Sequence, residues 1–276
     1  MRIELPFTAC LLLASGSAFA WGDCDHRAER ALDIAPGQAV TLALAVGAGD
    51  LEVRGDPKAS QIQLRGRACA SSQALLDQIQ FLGQTSGDRV EAQTQIPKLE
   101  GGWGSDTAYI DVTVVMPAHL ILDLRDSSGD IDIHAVAAVK VKDSSGDIRI
   151  REIGGSVEVA DSSGDIEIRT VAGNVEVTND SSGDIEIDDV QGNALVRVDS
   201  SGDIELSGIR KNAEVGRDSS GGIVFKDIGG NATVGSDSSG GIRASKVRGD
   251  FIVDADTNGD ISHSDIGGRV DVPMRR

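Results

Sequence analysis

The chain has 276 residues and a formal charge of −18, with 44 acidic against 26 basic side chains and 3% aromatics. Such a surface repels nucleic acid and anionic lipid, and favours cations and basic partners. Periodically placed Val and Ile argue against disorder, and the scarcity of aromatics makes any core aliphatic and finely divided.

Residues 1–20, "MRIELPFTACLLLASGSAFA", hold Arg2, a short apolar run and Ala18-Phe19-Ala20. This predicts a secretory signal peptide cleaved after Ala20. The run is too short to span a bilayer, and no later stretch approaches about 18 apolar residues. Cys24 follows Trp-Gly-Asp rather than a lipobox. The expectation is an exported, soluble chain in the periplasm or cell exterior. Arg2 and Glu4 leave with the signal, so the net charge is unchanged. Cys10 leaves too, and Cys24 and Cys69 are expected to form a disulfide in an oxidising compartment.

Residues 21–125 read as an irregular N-terminal β region and cap. "GAGDLEVRG" from Gly47, "QIQLRGRA" and "YIDVTVVMP" alternate as strands. "SSQALLDQIQF" from Ser71 is the one helix candidate, with a Ser cap and an apolar face of Leu75, Leu76 and Ile79. It is expected to cover an open sheet edge, which otherwise invites aggregation.

Residues 126–276 are regular repeats, continuous with that region. "DSSGDI" begins at Asp126, Asp143, Asp161, Asp180 and Asp199, becomes "DSSGGI" at Asp218 and Asp237, and ends as "DTNGDI" at Asp256. Successive starts lie 17 to 19 residues apart. Each unit is a turn, an I-x-I strand, a further Val or Ile, a Gly and a V-x-V strand. Period-two alternation makes both segments strands, and no helical period occurs. The predicted fold is all-β: a single-stranded parallel β-solenoid (β-helix) with coils of about 19 residues. Ile131, Ile148, Ile166, Ile185, Ile204, Ile223, Ile242 and Ile261 would stack inward at ~4.8 Å per coil. A β-sandwich is the alternative, disfavoured because it needs unlike strands at its centre and edges. One coil cannot offset the entropy of ordering itself, so stability must accrue through interfaces between coils.

In each turn, Asp at the first and Gly at the fourth position suit a type I turn. The first Asp is expected to accept a backbone N–H two residues on. It stands in all eight copies (Asp126, Asp143, Asp161, Asp180, Asp199, Asp218, Asp237, Asp256), as a structural role requires. The second Asp becomes Gly222 and Gly241 in two copies, so the turn forms without it. The Ser hydroxyls are expected to bond along the stack, and Pro273, Arg275 and Arg276 to stop the ladder.

The second aspartates and the outward residues two positions on put Asp165, Glu167, Asp184, Glu186, Asp203 and Glu205 on one face. Like charges ~4.8 Å apart repel by about 0.9 kcal/mol in water and about 3.5 kcal/mol at an effective dielectric of 20. Ca²⁺ is one candidate to relieve this, although the pattern is not the calcium-binding nonapeptide. The alternative is a hydrated acidic face softened by Arg151, Arg169 and salt. His26, His119, His134 and His263 are scattered, and short connections wall no cleft, so no catalytic residue is assigned and no enzyme is expected. Trp21, Trp103 and Tyr109 offer stacking surfaces for sugars, or packing for the cap.

The passage "YIDVTVVMPAHLILDLRDSSGDI", with the recurring S-G-D-I and G-x-V-x-V, resembles the start of the repeat region in a bacterial putative-adhesin β-strand-repeat family, a domain of unknown function. The likeness covers roughly residues 40–272. It implies an exported or envelope-associated β-solenoid and brings no catalytic residues. The functional expectation is a non-enzymatic, adhesin-like or envelope-scaffold module. It would bind a basic protein, glycan or other surface component through its acidic face. A calcium-stabilised rod and a polysaccharide-active enzyme are the alternatives.

Overall fold

The computed structural model describes residues 24–99 and 106–273. The expected signal peptide, Trp21, Trp103, Arg275 and Arg276 lie outside them. From Ile131 onward every turn-following strand pairs in parallel and in register with its copy in the next coil. Ile148 lies beside Ile166, then Ile185, Ile204, Ile223, Ile242 and Ile261. The second strand of each unit stacks likewise, through Val157, Val175, Ala194, Ala213, Ala232 and Phe251. Two 12-stranded sheets result, and the chain is a parallel β-solenoid.

Alternation within each strand sends its aliphatic residues to one continuous buried core. Ile148 through Ile242 are at most 1% exposed, whereas Ile261, in the last full coil, is only half-buried. The alternation has one regular break. In Ile185–Val190 the buried residues are Ile185, Ile187 and Val190, a spacing of two and then three. Asp189 supplies the extra residue in a left-handed conformation, φ +52°, which turns Val190 back into the core. Glu152, Thr170, Asp227, Lys246 and Asp265 do the same in other coils, and Gly208 takes the place once.

The N-terminal region is threaded differently. Its strands are β1 (His26–Ile34), β2 (Thr41–Ala45), β3 (Leu51–Asp56), β4 (Ile62–Ala70), β5 (Gln80–Ser86), β6 (Arg89–Gln95) and β7 (Ala108–Pro117); β8 (Ile121–Arg125) and β9 (Ile131–His134) lead into the repeats. β2 pairs in parallel with both β6 and β8, and β3 with both β7 and β9. The β2–β3 coil therefore lies between two coils that follow it in the chain. Beyond β7 and β6 the pairing turns antiparallel, through β4 and β1 on one sheet and β5 on the other.

These antiparallel strands, rather than the expected helix, form the outer edges at this end. The helix α1 is one turn, Gln73–Leu76, with Ser72 Oγ accepting the Leu75 N–H at 3.3 Å. It stops because the Gln78 and Ile79 amides bond to carbonyls three residues back and β5 starts at Gln80. Leu76 and Ile79 are buried, and the Arg30 guanidinium donates to the carbonyls of both. Cys24 and Cys69 are disulfide-bonded, with Cα atoms 5.8 Å apart, fastening the segment before β1 to β4. Among the described residues no helix is long and apolar enough to cross a membrane.

Candidate functional site

In-register stacking turns each recurring side chain into a column along the axis. The first aspartates form an interior column: Asp126, Asp143, Asp161, Asp180, Asp199, Asp218 and Asp237 are at most 7% exposed. Asp126, Asp180 and Asp199 each accept the N–H of the very next Ser at 2.7 Å. Asp218 and Asp237 accept from the Ser two residues on, at 3.2 and 3.1 Å. The sequence reading placed every such bond two residues on. In these five the Oδ2 atom is buried without a hydrogen-bond partner. Desolvation pushes Asp126 and Asp218 up to about 7 and Asp143 and Asp180 to about 6, with neighbouring aspartates of the column adding and the Ser amides opposing. Asp161, Asp199 and Asp237 are raised for the same leading reason.

The Ser hydroxyls knit the turns together. Ser201 Oγ donates to the Ser181 carbonyl at 3.0 Å and Ser220 Oγ to the Ser200 carbonyl at 3.1 Å.

The second aspartates make an exterior ladder. Asp184 accepts the Asp203 N–H on Oδ1 at 2.8 Å, Asp165 accepts from Asp184 at 2.9 Å, and Asp203 accepts from Gly222 at 2.7 Å. Towards the N-terminal end the same bonds run through Asp147, Asp130 and Asp50 to Asp111. Burial raises the Asp111 carboxyl, the Asp50 charge adds to this, and the Asp50 amide opposes it. Sequence reasoning missed Asp111 and Asp50 as rungs. "GAGD" echoes "SGD", but Asp111 sits mid-strand with no turn around it.

Another ladder, also missed, lines a different turn. Asn174, Asn193, Asn212 and Asn231 each accept the N–H of the next coil on Oδ1, and Asp250 accepts from Arg269 at 2.7 Å. Its signal, Asn or Asp directly after Gly or Lys at the repeat period, is readable.

Two features answer the repulsion among Asp165, Glu167, Asp184, Glu186, Asp203 and Glu205. Each ladder carboxylate receives a backbone amide, and Arg169 pairs with both Glu167 (3.0 Å) and Glu186 (2.8 Å). Arg151 pairs with Asp132 and Arg149 with Asp147. Among the described residues no group of three or more His, Cys, Asp or Glu side chains is placed to hold a metal ion. A ladder spreads oxygens along a line, whereas Ca²⁺ needs six to eight around a point.

The acidic face begins in a groove of about 660 Å³ lined by Asp50, Glu52, Asp111, Asp130 and Asp132, with Arg65, Arg67 and Arg149 among them. Tyr109 is half-buried in β7 opposite Cys69, its hydroxyl raised by burial and by Asp111. His263 lies against Phe251, ring centroids 6.1 Å apart.

Among curated proteins none matches the chain. Solved structures resemble it at low identity. A putative adhesin from Bacteroides fragilis is 12% identical over 89% of this chain and 97% of its own, TM-score 0.36. A putative cell adhesion protein from Clostridium sporogenes is 11% identical over 91% and 100%, TM-score 0.29. A putative adhesin from Parabacteroides merdae is 10% identical over 91% and 97%, TM-score 0.33. The model of one family, Toastrack DUF4097, matches residues 41–267, most of the solenoid, and the chain belongs to that family.

Proposed function

We propose that the protein is an exported, non-enzymatic, adhesin-like module of the cell envelope. Its acidic face binds cationic groups on another surface component, a basic protein or an amine-bearing glycan. The observation that carries this reading is the exterior ladder from Asp111 to Asp203. Each rung engages one carboxylate oxygen with a backbone amide, so the column is held rigid while its charge faces outward. A rigid row of charges at the coil spacing favours a partner with repeated cationic groups, and binding spread over such a row is screened by salt.

The test is retention of the mature chain on envelope fractions of the producing cell across a salt series. Wild type is expected to bind at low salt and elute as salt rises. A variant carrying Asp165→Asn, Glu167→Gln, Asp184→Asn and Glu186→Gln is expected to bind weakly throughout. Salt-independent retention, or equal retention of the variant, would overturn the reading.

A further inference from the structure

At the other end of each turn-following strand, away from the Asp-Ser-Ser-Gly turns, a groove of about 680 Å³ runs along the axis from Asp189 to Gly267. Its floor is the corner at Ile209, Ile228, Val247 and Ile266. One wall is the left-handed column, Asp189, Gly208, Asp227, Lys246 and Asp265. The other wall, two residues on, runs through Arg210, Gly229, Arg248 and Gly267, each bonded through its amide to the coil before. Carboxylates stand in every second coil of the first wall and guanidinium groups in every second coil of the other. The two series are staggered, so that Arg210 lies one coil on from Asp189 and Arg248 one coil on from Asp227. Each series repeats over two coils, roughly 9.6 Å. The gap at Gly229 is fixed by the fold, because a Cβ there would stand 2.1 Å from the Arg210 carbonyl oxygen.

No ion pair crosses this groove. Among the described residues Arg210, Arg248 and Asp265 enter none, and the Asp189 carboxylate accepts only the Gln191 side-chain amide, at 3.1 Å. Lys246 is the departure from the pattern: it stands in the acidic wall and pairs with Asp227 at 3.4 Å, both side chains being about half exposed. Such a pair is weak, and a ligand cation can displace it. Beyond the walls, Asp188 is engaged by the Ser207 hydroxyl and Asp250 by the Arg269 amide, while Lys211 and Lys226 are exposed. Opposite charges held across a groove, rather than against each other, suit a ligand that carries both signs. A polyanion would face the carboxylates and a polycation the guanidinium groups, so the walls select against either. An extended peptide repeats its side chains on one face every ~6.7 Å, out of step with two coils. A glycan that alternates an amino sugar with an acidic sugar repeats over a disaccharide, which is the scale of two coils.

We propose that this groove binds a linear zwitterionic glycan, alternating amino and acidic sugars, laid along the solenoid axis. Its ammonium groups face Asp189, Asp227 and Asp265, and its acid groups face Arg210 and Arg248. The site is separate from the acidic ladder and stands whether or not that ladder binds an envelope component. Its contacts are exposed and electrostatic, so binding weakens with salt.

Isothermal titration calorimetry of the mature protein at low salt tests this with oligosaccharides of equal length. The probes are a chain alternating glucosamine with glucuronic acid, the same chain N-acetylated, and a chain of glucosamine alone. Saturable binding of the first is expected, with the other two weaker by about tenfold or more. Arg210→Gln combined with Arg248→Gln, and separately Asp189→Asn combined with Asp265→Asn, should each raise its Kd by about tenfold. Lys246→Gln should lower the Kd, because Asp227 is then open to a ligand ammonium. The variant carrying Asp165→Asn, Glu167→Gln, Asp184→Asn and Glu186→Gln should bind the alternating chain as wild type does. Far-UV circular dichroism verifies that the variants stay folded. No saturable binding, equal binding of the three chains, indifference to both double variants, or a higher Kd in Lys246→Gln would each overturn the proposal. Loss of binding in the acidic-face variant would put the sugar on the ladder and overturn it as well.

Discussion

A Cβ built on Gly183 would stand 2.0 Å from the carbonyl oxygen of Gly164, one coil away. Gly183 also has φ +127°, outside the range an L side chain adopts comfortably. The obstruction is backbone, and that backbone is fixed by its own coil, so neither side yields cheaply. Gly183→Ala is expected to destabilise by about 3 kcal/mol or more. Gly222 is the internal control: it lacks the positive φ, and its nearest contact would be 3.4 Å, to the Asp203 Oδ1. Gly222→Ala should stay within about 0.5 kcal/mol of wild type. Urea unfolding of both variants decides, and equal losses would refute the distinction.

The interior aspartates make stability fall as pH rises. Unfolded aspartates titrate near 3.9, whereas burial pushes Asp126 and Asp218 up to about 7 and Asp143 and Asp180 to about 6. Between about pH 4 and 7 the native state therefore holds protons that the unfolded chain has released. Raising pH through that window removes stability. The urea midpoint should be higher at pH 5 than at pH 8. Asp180→Asn keeps an oxygen for the Ser181 amide and puts a neutral group where Oδ2 is unpartnered. It should be more stable than wild type at pH 8 by about 1–3 kcal/mol, with a flatter pH profile. A wild-type profile that is flat, or rises toward pH 8, would count against a column of protonated carboxyls.

The repeated units were legible because turn chemistry and period-two alternation recur at a fixed spacing; Asp180 to Val198 alone states the coil. The order of the first coils was not. Whether Leu51 pairs with Val112 and Ile131 depends on closure over long separations, and no local pattern records it. The exterior ladder was half legible, its regular rungs coming from "SGDI" and its first rungs depending on that threading. The left-handed column was half legible: Asp189, Gly208, Asp227 and Asp265 are residue types that favour this conformation, whereas Ala135, Glu152, Thr170 and Lys246 are not, and at those four the corner imposes it.

That imposition predicts easy stabilisation. Thr170 has φ +57° between buried Ile168 and Val171, a conformation in which a β-branched residue is a strained outlier. Strain of about 1–2 kcal/mol is partly offset in Thr170→Gly by the greater freedom of glycine in the unfolded chain. A net gain of about 0.5–1 kcal/mol is expected, and Gly208 already occupies the equivalent place. Thr178→Gly, at a position without positive φ whose hydroxyl donates to the Val159 carbonyl at 3.2 Å, should lose stability. Thermal melts of the two variants moving in the same direction would contradict this account.

Asp184 separates a backbone ladder from a cation site. Its Oδ1 accepts the Asp203 amide while its own amide donates to Asp165, so the fold needs an oxygen there rather than a charge. The asparagine column shows that an amide oxygen suffices, since Asn193 accepts the Asn212 N–H at 3.1 Å. Asp184→Asn should therefore be neutral or gain up to about 0.5 kcal/mol as like charges are relieved, while Asp184→Ala should cost about 1 kcal/mol. Added Ca²⁺ should leave the melting temperatures of wild type and Asp184→Asn unchanged. If Ca²⁺ instead raised the wild-type value and not that of Asp184→Asn, the carboxylate charges would be holding the ion, and the amide ladder would no longer explain how this face tolerates its own repulsion.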